Sequence, residues 1–205
     1  MSDAEFRSGF VTFVGRPNVG KSTLLNRVVG QKVSIVSNKV QTTRHQVRGV
    51  LTRPDAQVVF VDTPGIHKPR TLMGERLNDA ALDATSGVDV VCVLLDATAP
   101  LGRGDEWVLA RAPDDAVIVV NKSDRASRDQ VLAQLVRAGE HPASEYFPVS
   151  ARTGEGVDAL VEHLVARMPP GPRWYPEGVV TESGEGFWVA ELVRERLLAV
   201  AREEL

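Results

Sequence analysis

The stretch Gly15-Arg16-Pro17-Asn18-Val19-Gly20-Lys21-Ser22 constrains this chain more than any other. It follows an apolar run, Phe10–Val14, and opens a helical pattern over Lys21–Val29. A strand, a glycine-rich turn and a helix start must therefore follow one another directly. The pattern G-x-x-x-x-G-K-[ST] in that setting wraps backbone N–H groups around a phosphate chain, and the helix N-terminus adds its positive dipole end. Lys21 can reach the β- and γ-phosphates, and the Ser22 hydroxyl can ligate Mg²⁺. A chance match in a chain of this length has odds of about one in a hundred.

The rest of the chain supplies the scaffold such a turn needs. Apolar runs at Val47–Leu51, Val58–Val61, Val88–Leu95, Ala116–Val120 and Tyr146–Val149 read as strands. Helical patterns lie at Gly74–Thr85, Asp105–Arg111, Arg128–Arg137 and Val157–Met168. Alternation of this kind predicts an α/β fold: a mostly parallel six-stranded sheet with helices on both faces. Six residues, Thr52 to Gln57, are too few for a crossover helix. Val47–Leu51 and Val58–Val61 should thus form an antiparallel hairpin, with one antiparallel edge strand.

Composition narrows the class. The 205 residues hold 43% hydrophobic and 25% charged side chains, an ordinary balance for a globular protein. Residues 170–205 contain four Arg and seven Glu, which accounts for the whole net charge of −3. A strongly basic nucleic-acid surface is excluded for this chain. Cys92 is the single cysteine, so no internal disulfide forms. No apolar run approaches the roughly 18 residues needed to span a bilayer.

Two further motifs follow strands. Asp62-Thr63-Pro64-Gly65 comes after Val58–Val61: Asp62 is placed to hold Mg²⁺ through water, and the Gly65 N–H can approach a γ-phosphate. Asn121-Lys122-Ser123-Asp124 comes after Ala116–Val120. The Asp124 carboxylate can accept from guanine's N1–H and 2-amino group, donors that adenine lacks. Ser150-Ala151 can add a backbone N–H toward guanine's 6-oxygen. Between Ser22 and Asp62, Gln41-Thr42-Thr43-Arg44-His45 offers a hydroxyl that reaches Mg²⁺ only when a γ-phosphate is present; Thr43 is the first choice and Thr42 the second.

These boxes, in this order over residues 10–168, resemble the small GTP-binding proteins with a P-loop NTPase fold. Q-T-T-R-H and Asp62–Pro69 (D-T-P-G-I-H-K-P) resemble the bacterial Era family closely, as do Ser8–Val11, Arg76–Asn78, Trp174–Pro176 and Ala190–Glu195. The resemblance implies binding of GTP and GDP with Mg²⁺, through Gly15, Asn18, Val19, Gly20, Lys21, Ser22, Thr23, Asp62, Gly65, Asn121, Lys122, Asp124, Ser150 and Ala151. Lys21, Thr43, Gly65 and Asn18 are the expected catalytic residues; Ser22, Thr43 and Asp62 are the expected metal-holding set.

The family implies GTP hydrolysis, maturation of 16S rRNA and assembly of the 30S subunit, in the cytoplasm and partly at the inner membrane as a peripheral protein. A monomer is expected. Many GTPases carry a Gln after D-x-x-G to orient water; Ile66 stands here and cannot hydrogen-bond. We therefore expect K⁺, held in part by the Asn18 side-chain oxygen as in related GTPases, to supply the missing charge. The alternatives are a nucleotide-gated binding module with negligible hydrolysis, or a GTPase of the Der or MnmE group. Der carries two such domains and MnmE a G-T-T-R-D segment, which this chain does not match.

Residues 1–168 are thus the expected GTP-binding domain, and the Pro- and Gly-rich 169–186 a linker. An amphipathic helix over 187–205 should present Trp188, Leu192, Val193, Leu197, Val200 and Ala201 as an apolar stripe. It resembles the segment leading into the family's RNA-binding KH domain. No basic G-x-x-G follows residue 170, so the chain is expected to be a truncated form, and RNA binding does not carry over to these residues.

Overall fold

The computed structural model describes residues 5–37, 42, 47–62 and 87–200. Six strands form one sheet: β1 (Arg7–Val14), β2 (Val47–Thr52), β3 (Ala56–Asp62), β4 (Val90–Asp96), β5 (Val117–Asn121) and β6 (Glu145–Pro148). Their order is β2-β3-β1-β4-β5-β6. The β2–β3 pair is antiparallel and every other pair parallel, as the short hairpin gap requires. Among the described residues, five α-helices accompany them: α1 (Lys21–Val29), α2 (Arg103–Leu109), α3 (Arg128–Ala138), α4 (Val157–Arg167) and α5 (Glu185–Val200). The helix expected over Gly74–Thr85 lies outside the described residues.

The near-continuous apolar runs of β4 and β5 have a direct cause. Alternate residues enter two cores, one on each face of the sheet. Cys92, Leu94, Val117 and Val119 join Leu24 and Leu25 of α1 and Leu160 and Leu164 of α4. Val91, Val93, Leu95, Ile118 and Val120 join Val108 and Leu109 of α2 and Ala138 of α3. Phe13 and Phe60 stack at 5.4 Å between ring centroids and tie β1 to β3. Burial pushes the Cys92 thiol far up, so it is an inert core side chain.

Parallel strands bring their carboxyl ends to one edge of the sheet. There β1 runs into Gly15, β3 ends at Asp62, β4 at Asp96 and β5 at Asn121. Chain order reverses across β1 and β4, which opens a crevice at that edge. All three sequence motifs therefore converge without any one of them being adjacent to another in the chain.

Residues 169–181, expected to be a linker, run against the opposite end of the sheet. Ser8 N–H donates to Pro169 O (3.0 Å), Gly171 N–H to Phe6 O (3.0 Å) and Val50 N–H to Val180 O (2.9 Å). The fully buried Gln57 pins the segment. Its Oε1 accepts from the N–H groups of Trp174 (2.8 Å) and Tyr175 (2.9 Å), and its Nε2 donates to Tyr175 O (3.0 Å) and Thr52 Oγ1 (2.9 Å). Trp174 packs on Phe10 at 5.6 Å. A leucine has Gln57's bulk but none of its donors or acceptors. Gln57→Leu is expected to cost about 2 kcal/mol, seen as a Tm fall of about 4–8 °C and as faster proteolysis within 172–182.

The final helix leaves much of its expected stripe uncovered. Leu198 is its buried residue, with Trp188, Leu192 and Glu195 half-buried on the same side. Val193, Leu197 and Val200 of the expected stripe are exposed, together with Val189. The contacts that fix this orientation are polar. Glu195 Oε1 accepts from Val36 N–H (3.0 Å), its Oε2 pairs with Lys32, and Arg194 Nη2 donates to Thr42 O (2.6 Å). Among the described residues, no helix is long and apolar enough to cross a membrane.

Candidate nucleotide site

The turn after β1 is shaped by glycines at two close approaches. A Cβ on Gly15 would lie 2.6 Å from Leu94 O, and one on Gly20 2.3 Å from Asn121 Nδ2. Gly20 also adopts φ 104°, which disfavours a side chain there. Asn18 sits at φ 64°, a left-handed conformation that Asn tolerates better than most residues. Gly20 is the N-cap of α1, so the first turn's N–H groups start at the cavity wall.

Lys21 is buried, and its Nζ donates to Gly15 O and Arg16 O, both at 3.1 Å. Burial lowers its pKa to about 8, against an opposing pull from Asp62. An ammonium desolvated in this way gains strongly from an anion, and a phosphate chain is the anion this loop fits. Ser22 Oγ donates to Asp62 Oδ2 (2.7 Å), and Ser34 Oγ donates to the same oxygen (2.9 Å). Asp62 is fully buried behind them. A hydroxyl facing a carboxylate beside a phosphate loop fits a Mg²⁺ site in which oxygen ligands come partly from the nucleotide. Among the described residues, no group of three His, Cys, Asp or Glu could hold a metal by itself.

The base side is built from β5 and the loop after β6. Asn121 is buried; its Nδ2 donates to Val19 O (2.8 Å), and its Oδ1 accepts from Ala151 N–H (2.9 Å). One side chain thus ties the phosphate loop to the base loop. Of the two N–H groups expected to offer one bond to guanine's 6-oxygen, Ser150's donates to Glu155 O (2.9 Å) and Ala151's to Asn121. Lys122, at φ 70°, donates from Nζ to Asp96 Oδ2 (2.5 Å). Burial works against the Asp96 charge, but bonds from Lys122 and Thr98 hold its carboxyl below the usual range. Ser150 Oγ donates to Asp124 Oδ1 (2.6 Å), and Arg152 pairs with Asp124 Oδ2. These contacts, Ser150's first, keep Asp124 ionised.

A cavity of about 340 Å³ lies between the two halves. Asn18, Gly20, Lys21, Ser22, Thr23, Asn121, Lys122, Asp124 and Ala151 line it. Gly15, Val19, Asp62 and Ser150 stand behind these and fix their positions. Thr43 and Gly65, with Arg44, His45, Ile66 and His67, lie outside the described residues.

Sequence reading missed several supports. Ser34 on Asp62 and Arg27, whose guanidinium reaches Ala151 O (3.1 Å) and Arg152 O, carry no local signature. Asp96 had one, since it ends a buried strand at the same edge. Arg16, within the phosphate-loop motif, bonds from Nε to the buried Asp105 (2.6 Å), whose other oxygen caps α2 at Gly102 N–H (2.9 Å).

The cavity wall also includes Ile35, Val36, Ser37 and Thr42. Two of these, Val36 and Thr42, are the residues α5 holds. Glu195→Ala is therefore expected to speed amide exchange at Val36 and across 187–200 by roughly tenfold. Burial opposes the Glu195 charge, but the Lys32 and Val36 bonds outweigh it and hold its pKa below the ordinary value. The stabilisation is present above the ordinary carboxylate range and is lost as pH falls through the folded value. Protection over 187–200, taken relative to the intrinsic exchange rate at each pH, should thus fall on acidification in the native chain and stay level in Glu195→Ala.

A family profile described as a 50S ribosome-binding GTPase matches residues 10–122. "GTPase Era" of Mycolicibacterium smegmatis is 50% identical over 208 residues, covering 98% of this chain and 70% of that protein. "GTPase Era" of Mycobacterium tuberculosis is 46% identical over 209 residues, with the same shares. A crystal structure of Era in complex with MgGDPNP and nucleotides 1506–1542 of 16S ribosomal RNA is 36% identical, with a TM-score of 0.90 over 98% of this chain and 70% of that one. An Aquifex aeolicus Era variant bound to GDP and aluminium fluoride gives 35% and 0.89. With the phosphate loop, the Ser22–Asp62 pair and the Asn121–Asp124 base loop meeting at one cavity, this chain belongs to the Era family of GTPases.

Proposed function

We propose that this chain is a Mg²⁺-dependent GTP-hydrolysing switch that serves 16S rRNA maturation and assembly of the small ribosomal subunit. The observation that carries the nucleotide reading is the Asn121 side chain, which joins the phosphate loop at Val19 to the base loop at Ala151 across one cavity. The rRNA reading is supported by the Era structure that holds MgGDPNP and 16S rRNA together.

In this reading Lys21 and the first N–H groups of α1 hold the β- and γ-phosphates. Ser22 and Thr43 hold Mg²⁺ directly and Asp62 does so through water. When bound, Mg²⁺ neutralises charge on the phosphate oxygens. Water attacks the γ-phosphorus, the bond to the β,γ-bridging oxygen breaks, and GDP and inorganic phosphate leave. The Gly65 N–H meets the γ-phosphate, and Lys21 stabilises charge on the leaving side. Residues 1–168 form the GTPase domain, 169–186 connect it, and α5 belongs to the segment that links it to the RNA-binding part of the family's chains. The chain acts as a monomer, and its association with the inner membrane is peripheral.

Ile66 leaves no side chain to orient water, and Asn18 lines the cavity beside Lys21. The Asn18 side-chain oxygen would hold in part a K⁺ ion, which would supply positive charge at the phosphates. Single-turnover hydrolysis in Mg²⁺ with K⁺ is expected to exceed the rate with Na⁺ by roughly tenfold or more. Equal rates would remove K⁺ from the mechanism.

A further inference from the structure

The Asp124 carboxylate, which the reading above gives to guanine, already receives a guanidinium. Arg152 donates to Asp124 Oδ2 from Nε (2.8 Å) and from Nη2 (2.5 Å), while Ser150 Oγ holds Oδ1. Both Asp124 and Arg152 line the nucleotide cavity. The chemical likeness is close. Guanine's N1–H and 2-amino edge is a planar N–C–N unit with two parallel donors, and so is the Nε–H and Nη–H edge of arginine.

We propose that Arg152 is a built-in competitor of the guanine base: its side chain occupies the Asp124 carboxylate, leaves when guanine enters and returns as guanine departs. The inference rests on the reading of Asp124 as the guanine acceptor. Three observations favour movement of the arm alone. The Asp124 side chain is 8% exposed and that of Arg152 is 71% exposed, so the guanidinium can swing away without unpacking anything. The backbone beneath it stays fixed, because Asn121 holds the Ala151 N–H and Arg27 holds the carbonyls of Ala151 and Arg152. Ser150 Oγ holds the other carboxylate oxygen, an anchor for Asp124 that does not depend on Arg152.

Competition of this kind weakens nucleotide affinity by the factor that the arm's own occupancy sets. An exposed ion pair gives a factor of roughly two to ten. The contact also hands the departing base's acceptor a replacement partner, which speeds release. Both effects depend on charge and diminish in salt.

Fluorescent GDP binding and release, measured on the full chain with and without R152A, gives the test. R152A is expected to bind GDP two- to tenfold more tightly and release it more slowly, and 1 M salt should close most of the gap. Unchanged or weaker binding by R152A would overturn the proposal, since the arm would then be neutral or support the base. A second background separates this from the underlying reading. In D124N the carboxylate is gone, and xanthosine diphosphate, whose 2-oxo group accepts from the amide, is the matched ligand. There R152A should change affinity by less than a factor of two; a persisting gain would show that competition does not run through Asp124. If D124N itself leaves GDP affinity intact, the assignment of Asp124 to guanine fails, whatever R152A does.

Discussion

Lys21→Met is expected to lower single-turnover GTP hydrolysis by roughly 10³-fold or more. The size of the effect follows from where the ammonium sits. Lys21 is buried and donates to two carbonyls of its own loop, an arrangement that compensates its lost hydration only in part. That is why its pKa is lowered to about 8. A phosphate chain brings the full negative charge that the carbonyls lack, and charge building on the leaving oxygen strengthens the contact further in the transition state. Methionine keeps the apolar stem against the core and removes the ammonium with its charge and its two bonds to the loop carbonyls. Circular dichroism should show the fold retained while phosphate release stops; loss of folding together with activity would leave the ammonium a structural role instead.

Asp124→Asn is expected to lower GTP affinity by roughly 10³- to 10⁴-fold and to raise affinity for xanthosine nucleotides. Asp124 is held ionised by Ser150, then by Arg152, and offers only acceptors. Asparagine turns one acceptor into a donor, which collides with guanine's 2-amino group but matches a 2-oxo group. Competition between labelled GDP and each triphosphate reads the change directly. A variant that keeps its preference for guanine would place base recognition elsewhere.

The parts of this site that were legible in the sequence are those whose chemistry is local. Gly20 must be glycine because Asn121 Nδ2 lies where its side chain would be, and the turn advertises that need within eight residues. Asp62 and Asn121 end buried strands, so their apolar runs alone aimed them at the same edge. The β2–β3 hairpin followed from six residues of spacing. What was not legible depends on partners far along the chain. Arg16 had equal freedom, by sequence, to meet a phosphate or a carboxylate; folding brought Asp105, 89 residues away, to its Nε. The Pro-rich segment after Met168 has no helix or strand pattern, yet Gln57, over a hundred residues earlier, fixes it to the sheet. In α5 the apolar stripe was legible, but the docking was not: Arg194 and Glu195 reach Thr42 and Val36, over 150 residues earlier.

That last contact gives the fold its functional logic. Val36 and Thr42 border the nucleotide cavity, and α5 holds both from outside. A change there with nucleotide state would be felt by the helix through hydrogen bonds that either form or break, which is how a local phosphate contact acquires a distant readout.

Phosphate release from GTP and from ATP under single turnover, at equal concentration in Mg²⁺ and K⁺, tests the nucleotide assignment most directly. Conversion of GTP to GDP and phosphate, with ATP left intact, is the expected result. Equal cleavage of both nucleotides, or release from neither, would contradict it.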